Sequence, residues 1–267
     1  MNRSVLKAFP AAVQPECFFP SQTHMNALAG VLYAAAHRVP LAVVSGPSGA
    51  GKTALLAAAE WRVAELRAPI SVLRYADPFP SPSSLLAALA QRFAAAGELR
   101  KALAQFHQRG ITPLLLLDDA HRLDPATIEQ VRAITDWTRG EDALLPIVLA
   151  GPPGLEDTLS LSLRQMLDVS MAIVALSVGE AIDYIGFRWR RAGLGDLVFS
   201  QAALRAVADA SEGLPRNIHR ICRDALRQAR AAGCATVEAE WISRRPHRPP
   251  RRVRSERVVA LAQAGGA

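Results

Sequence analysis

The sequence predicts an α/β protein: a parallel sheet covered by helices, followed by a small all-α unit. Three observations carry that expectation. Short apolar strands alternate with helix-length segments up to about residue 176, the pattern of a parallel sheet with crossover helices. One of those strands, Leu41 to Val44, runs straight into a glycine-rich turn and then into the apolar start of a helix. From Ser177 onward only helical spacing occurs. The expected division is 1–176 for the α/β domain, 177–242 for the helical domain and 243–267 for a Pro/Arg-rich tail of disordered composition.

Taken in order, residues 1–40 read as a lead-in, with Phe18-Phe19-Pro20-Ser21 preceding a helix from about His24 to His37 that Ser21 or Thr23 can cap. Strand Leu41–Val44 and its helix follow, then a strand from Ile70 to Tyr75 ended by Asp77-Pro-Phe-Pro-Ser-Pro82. Alanine-rich helices fill 83–109. Leu114 to Leu117 is wholly apolar, which predicts a strand buried on both faces. Pro125 opens a helix expected to reach about Arg139. Strands follow at Leu145–Ala150 and Ser170–Leu176. Helices are then expected at about 178–192, 200–210 and 215–232, the last ended by Gly233.

Composition narrows the class. With 50% apolar and 21% charged residues, the chain has the make-up of a soluble globular protein. No uncharged apolar run reaches the ~18 residues of a membrane span, and the first ten residues lack the apolar core of a secretory signal. Cys17, Cys222 and Cys234 form no framework or CxxC pair, which suits a reducing, cytoplasmic setting. The net charge of +7 is uneven: seven arginines and one glutamate lie beyond Ile242, which leaves the body near +1. The six histidines are too scattered for a transition-metal site.

The turn after the first strand carries the chemistry. Gly46-Pro47-Ser48-Gly49-Ala50-Gly51-Lys52-Thr53 fits the phosphate-loop pattern G-x-x-x-x-G-K-[ST], between the strand and helix that the pattern requires. Its glycines let backbone N–H groups converge on phosphate oxygens, and the helix that begins near Gly51 and carries Ala54 in its first turn adds its positive end. Lys52 would reach the β- and γ-phosphates of ATP, and the Thr53 hydroxyl would hold Mg²⁺. Asp118 ends an apolar strand 65 residues after Thr53 and would complete the Mg²⁺ site, with Asp119 orienting the attacking water. A hydrolase elbow is excluded, because Ser48 lies in Gly-x-Ser-Gly-Ala rather than G-x-S-x-G. Gly213-Leu-Pro-Arg216 opens the third helix of the second unit, where Arg216 could swing onto the γ-phosphate. Beyond it, Arg216, Arg220, Arg223, Arg227 and Arg230 recur at helical spacing, with Ile218, Ile221, Cys222, Ala225 and Ala229 on other faces. Such a stripe is either a solvated helix face or, in a chain with only Lys7, Lys52 and Lys101 as lysines, a surface suited to contact with phosphate backbones. No aromatic interleaving or helix-turn-helix signal accompanies it, so base readout is not expected.

These residues, with Phe18 to His24, Leu114 to His121 and Leu123, Leu149 to Leu155, and Ser211 to Ile218, resemble AAA+ ATPases of the general secretion pathway A (ExeA) type. That group is similar to the transposition ATPases TniB and Mu B. The resemblance runs from about residue 15 to 242. It implies a P-loop NTPase (AAA+) sheet with an all-α lid, ATP and Mg²⁺ as cofactors, a homo-oligomer, and the sensor 2 role for Arg216. Three departures stand out. Asp119 replaces the usual glutamate, which predicts slower hydrolysis. The segment Leu163–Ser170 is short and lacks the arginine expected just before the last strand, leaving Arg164 and Arg139 as arginine-finger candidates. After Ile242 there is no membrane span or cell-wall-binding region of the secretion kind. The expectation is therefore an ATP-hydrolysing, DNA-associated helper of the transposition type, with DNA and a transposase as partners. The alternatives are a secretion-type assembly ATPase with a secretion partner, and a nucleotide-gated scaffold with little turnover.

Overall fold

The computed structural model describes residues 3–75, 83–93, 99–139 and 141–242, side chains being described from Leu6 onward and, in the third helix, from Leu85. Two expectations, the Asp77–Pro82 strand terminator and the arginine tail, fall outside these residues. In chain order the regular elements are α1 (Gln22–Ala36), β1 (Leu41–Ser45), α2 (Lys52–Glu65), β2 (Ile70–Tyr75), α3 (Ser83–Phe93) and α4 (Leu99–Gln108). Then come β3 (Thr112–Leu117), α5 (Pro125–Thr135), β4 (Thr138–Arg139), β5 (Asp142–Ala143), β6 (Ile147–Gly151), α6 (Leu155–Thr158), α7 (Leu161–Gln165) and β7 (Leu167–Ala172). The chain closes with α8 (Val178–Arg191), α9 (Gln201–Ser211) and α10 (Pro215–Ala231), and short 3₁₀ turns lie at Arg3–Ala8, Pro15–Cys17, Ala120–Arg122 and Ala239–Trp241.

The five long strands make one parallel sheet in the order β2-β3-β6-β1-β7. Period-two alternation loads both faces. Leu41, Val43, Leu115, Leu117, Ile147 and Leu149 enter one core, while Ala42, Val44, Leu114, Leu116, Val148 and Ala150 enter the other. Each buried leucine or isoleucine stabilises by about 1.5–3 kcal/mol, so the all-apolar strands sit where water is excluded on both sides. The last strand ends at Ala172, earlier than the expected Leu176, because its register runs with β1 from Leu167 to Ala172. The α5 helix stops at Thr135 rather than near Arg139: Thr138 and Arg139 leave it to pair with Ala143 and Asp142 in a two-stranded hairpin.

The three last helices build a third core around Ile185, Trp189, Val207, Ile218 and Leu226. Their ends follow local chemistry. Ser177 and Glu180 form a reciprocal capping box on α8. Gly233, at φ 73°, closes α10 with Gly233 N–H donating to Arg230 O and Cys234 N–H to Ala229 O, the paired bonds of a Schellman motif. Leu6, Ala8 and Phe9 also lie in this third core, although they precede the sheet in sequence. The N-terminal segment thus leaves the helical cluster, crosses as a strap, and enters the α/β layer at α1.

Candidate nucleotide site

The loop between β1 and α2 is shaped by close approach. Gly46 N–H donates to Gly151 O at 3.2 Å, and a Cβ on Gly46 would lie 2.6 Å from Ile173 O. Gly49 (φ 86°) and Gly51 (φ 118°) take left-handed conformations that other residues adopt only with strain. Lys52 is 8% exposed, and its Nζ donates to Gly46 O at 2.7 Å and Pro47 O at 3.1 Å. Burial lowers the Lys52 pKa; Asp118 and Asp119 oppose that shift and Arg216 adds to it, so the four charges share one neighbourhood.

Strand β3 delivers Asp118 to this loop. The carboxylate is 5% exposed; Oδ2 accepts the Thr53 hydroxyl at 2.6 Å and Oδ1 accepts Asp119 N–H at 2.9 Å. A hydroxyl against a carboxylate is a hard-oxygen pair of the kind Mg²⁺ prefers. Among the described residues no three His, Cys, Asp or Glu side chains gather into a metal cluster. Two protein oxygens, with the rest from phosphate and water, is how Mg²⁺ is commonly held, so the donor set fits that ion. Asp119 stands at φ 47°, a left-handed position tolerated better by aspartate than by longer side chains, and borders the same cavity.

The opposite wall is helical. Arg216 N–H donates to Gly49 O at 3.2 Å and its Nη1 to Ser48 Oγ at 3.0 Å, so the first turn of α10 touches the phosphate loop. Gly49 allows this: a Cβ there would lie 2.9 Å from Arg216 Cβ. Gly213 (φ 67°) sets the approach, with its carbonyl accepting Leu176 N–H at 2.9 Å and a Cβ there running into the Leu176 carbonyl. Between the walls lies a cavity of about 490 Å³, roofed by Pro10 to Phe19.

That roof is tied to the helical wall, an arrangement sequence reading did not anticipate. Arg188, 5% exposed, donates from Nε to Ala8 O (3.1 Å), from Nη1 to Cys17 O (3.3 Å) and from Nη2 to Gln14 Oε1 (2.6 Å). Arg191 Nη2 donates to Glu16 O at 2.6 Å. His219 donates from Nδ1 to Pro10 O at 3.0 Å and accepts Tyr184 OH at Nε2, 2.7 Å away. Burial pushes the His219 pKa down to about 4 and the Tyr184 pKa up to about 12. These partners lie 35 to 209 residues apart, and no spacing rule links them. The signal available was Phe18-Phe19, an aromatic pair placed before a helix cap without a core strand to serve.

The arginine stripe divides. Arg216 and Arg223 line the cavity, and Arg223 Nε is buried with no hydrogen-bond partner among the described residues. Arg227 and Arg230 are exposed, Arg227 pairing with Asp224 at 3.4 Å, and Arg220 is half-buried. The arginine face read from the spacing is thus divided: because α10 begins against the phosphate loop, Arg216 and Arg223 border the cavity while the arginines further along lie outside it. Arg164 is exposed on α7 and borders no part of the cavity. The side chain of Arg139 lies outside the described residues.

Residues 37–159 match the family described as "AAA domain". The chain is 27% identical over 240 residues to general secretion pathway protein A of Aeromonas hydrophila, a match covering 84% of this chain and 43% of that protein. It therefore spans less than half the length of that curated relative. Among solved structures, the ORC2 protein of Aeropyrum pernix in ADPNP and ADP complexes superposes with a TM-score of 0.64 at 16% identity, covering 90% of this chain and 70% of the other. Drosophila ORC bound to DNA superposes with a TM-score of 0.62 at 18% identity, covering 90% and 63%. With the phosphate loop, the paired acids and the helical wall in place, residues 37–159 match an AAA domain and the chain has the fold of AAA+ P-loop ATPases.

Proposed function

We propose that the chain binds Mg-ATP between the α/β layer (1–176) and the helical lid (177–242), and couples its hydrolysis to movement of that lid. The observation that carries this reading is Arg216, which reaches from the lid to Ser48 and Gly49 of the phosphate loop while Thr53 and Asp118 meet on the loop's other side. Residues Gly46 to Ala54 cradle the phosphates through backbone N–H groups and Lys52. Thr53 and Asp118 hold the Mg²⁺, which when bound neutralises charge on the phosphate oxygens. Asp119 orients water, and Arg216 registers the γ-phosphate. The buried Arg223 Nε supplies a donor to the nucleotide. In this reading Arg216→Ala retains ATP binding but loses most turnover. Unchanged turnover in that variant would remove Arg216 from the mechanism.

For its biological use we favour a DNA-associated helper ATPase acting as a cytoplasmic oligomer, in which Arg164 of one copy can serve the site of the next. Arg220, Arg227 and Arg230, outside the cavity, are the folded surface left for duplex phosphates, alongside the seven arginines after Ile242. The DNA-bound ORC relative lends support. A chain ending at Ile242 should still bind duplex DNA in the presence of ATP, more weakly and with a shallower salt slope. Filter binding at several salt concentrations with ATP and with ADP tests this; total loss on truncation would leave DNA as a contact of the tail alone. A second reading, a secretion-type assembly ATPase, is favoured by the similarity to general secretion pathway protein A. Among the described residues no helix is long and apolar enough to cross a membrane. Turnover that is indifferent to DNA would favour the secretion reading. Near-zero turnover in all conditions would favour a nucleotide-gated scaffold.

A further inference from the structure

His24 sits in the first turn of α1, 26 residues before Ala50, yet its ring is built into the phosphate loop. Nε2 lies 2.9 Å from Ala50 O, and Nδ1 lies 2.7 Å from Ser21 Oγ. A carbonyl can only accept, so Nε2 carries the proton and Nδ1 accepts the Ser21 hydroxyl. Ser21 Oγ in turn accepts His24 N–H at 3.5 Å, which closes the helix cap onto the same ring. The ring is buried at 5% exposure and meets Phe18 edge-on at 5.8 Å between centroids. Burial also lowers its pKa, consistent with this neutral tautomer. A Cβ on Gly51 would lie 2.8 Å from Nε2, so the glycine that follows Ala50 is needed to admit the ring.

We propose that His24 is a positioning residue for nucleotide binding: by holding the Ala50 carbonyl it aims the Gly51 N–H at the phosphates. The peptide between Ala50 and Gly51 is planar and trans, so its C=O and N–H point in opposite directions. A carbonyl turned outward onto His24 therefore turns the Gly51 N–H inward, towards the concave side of the loop. Without that anchor, the plane between two left-handed glycines has little to fix it, since Gly49 and Gly51 both tolerate a wide range of φ. The contact also joins the strap to the loop through one imidazole, as Phe18 and Ser21 lie at the strap's end.

The proposal rests on the nucleotide reading of the loop, and the test separates the two. Glutamine places an N–H donor near Nε2, whereas asparagine can reach only the Nδ1 position. His24→Gln should therefore bind a non-hydrolysable ATP analogue with Mg²⁺ about tenfold more tightly than His24→Asn, which leaves the buried carbonyl unpaired. Affinity is read by calorimetry on the full chain, with thermal unfolding measured alongside and Lys52→Ala as the control. Equal affinity of the two His24 variants, with Lys52→Ala deficient, overturns the role of His24 and leaves the site intact. Parental affinity in Lys52→Ala would instead overturn the nucleotide site itself. Should His24→Asn fail to fold, ¹⁵N spectra of the parent decide the matter. A ring protonated at Nε2, whose Gly51 amide signal shifts on nucleotide addition, supports the proposal, and an Nδ1–H tautomer or an unmoved Gly51 amide sinks it.

Discussion

The two walls of the cavity are built by different rules. The phosphate-loop wall is contiguous: Gly46 to Thr53 shape it, with Lys52 folded onto carbonyls five and six residues away. The lid wall is an assembly, in which Arg188 gathers acceptors 171 to 180 residues distant. One wall depends on backbone conformations that glycine permits, the other on a buried cation that satisfies strap carbonyls. A defect in the first should therefore strike ligand binding and spare the fold, while a defect in the second should strike the fold and binding together. Arg216, which belongs to the lid and touches the loop, is where the two rules meet.

The largest effect tests the loop wall. Lys52→Ala should weaken ATP binding by about 100-fold or more, since it removes the charged donor facing the phosphates. Unfolding should change little, as the side chain bonds only loop carbonyls. Unchanged affinity by calorimetry would place the nucleotide elsewhere.

The lid wall predicts the reverse profile. Arg188→Ala leaves Ala8 O, Cys17 O and Gln14 Oε1 without their donor. It should cost about 3 kcal/mol of stability and loosen the strap, with weaker ATP binding as a consequence. Urea unfolding checks this, and a loss under ~0.5 kcal/mol would mean that the strap is held by its apolar contacts instead.

Acid should also act on the lid side first. The pKa of His219 is about 4 in the folded chain against an ordinary value of 6.5, so the unfolded chain binds the extra proton throughout that interval. Its contribution is complete above about pH 6.5 and is lost as pH falls towards 4, on the order of 2 kcal/mol by pH 4.5. The pH dependence should flatten in His219→Gln. An acid limb of the same depth in that variant would assign the effect to other groups, His24 foremost, whose shift has the same sign.

The smallest effect concerns Asp119. Asp119→Glu lengthens the carboxylate by one methylene and should raise turnover severalfold. The same change places a longer side chain at φ 47°, at about 1 kcal/mol in stability. Slower turnover than the parent would show that aspartate is matched to the left-handed turn.

Much of this architecture was legible before any coordinate. The β2 limits Ile70–Tyr75 follow from the apolar run, and the α10 limits follow from Pro215 and Gly233, because these signals lie in adjacent residues. Asp118 could be placed because an all-apolar strand can only be buried, and a carboxylate at its end must emerge beside the loop. The α5 boundary was missed because Thr138 and Arg139 pair with residues five and three positions ahead, a hairpin too short to show a period.

What the sequence by itself determined, then, is whatever neighbouring residues enforce: the phosphate loop, the strand alternation, the helix caps and the glycine conformations. Only the tertiary structure decided that Pro10 to Phe19 roof the cavity, that Arg188 and His219 hold that roof, and that Arg223 lines the cavity while Arg227 and Arg230 lie outside it. The reason is physical. Local hydrogen bonds and side-chain periods are fixed by residues a few positions apart, whereas the pairing of buried polar groups depends on which apolar faces meet when the chain folds.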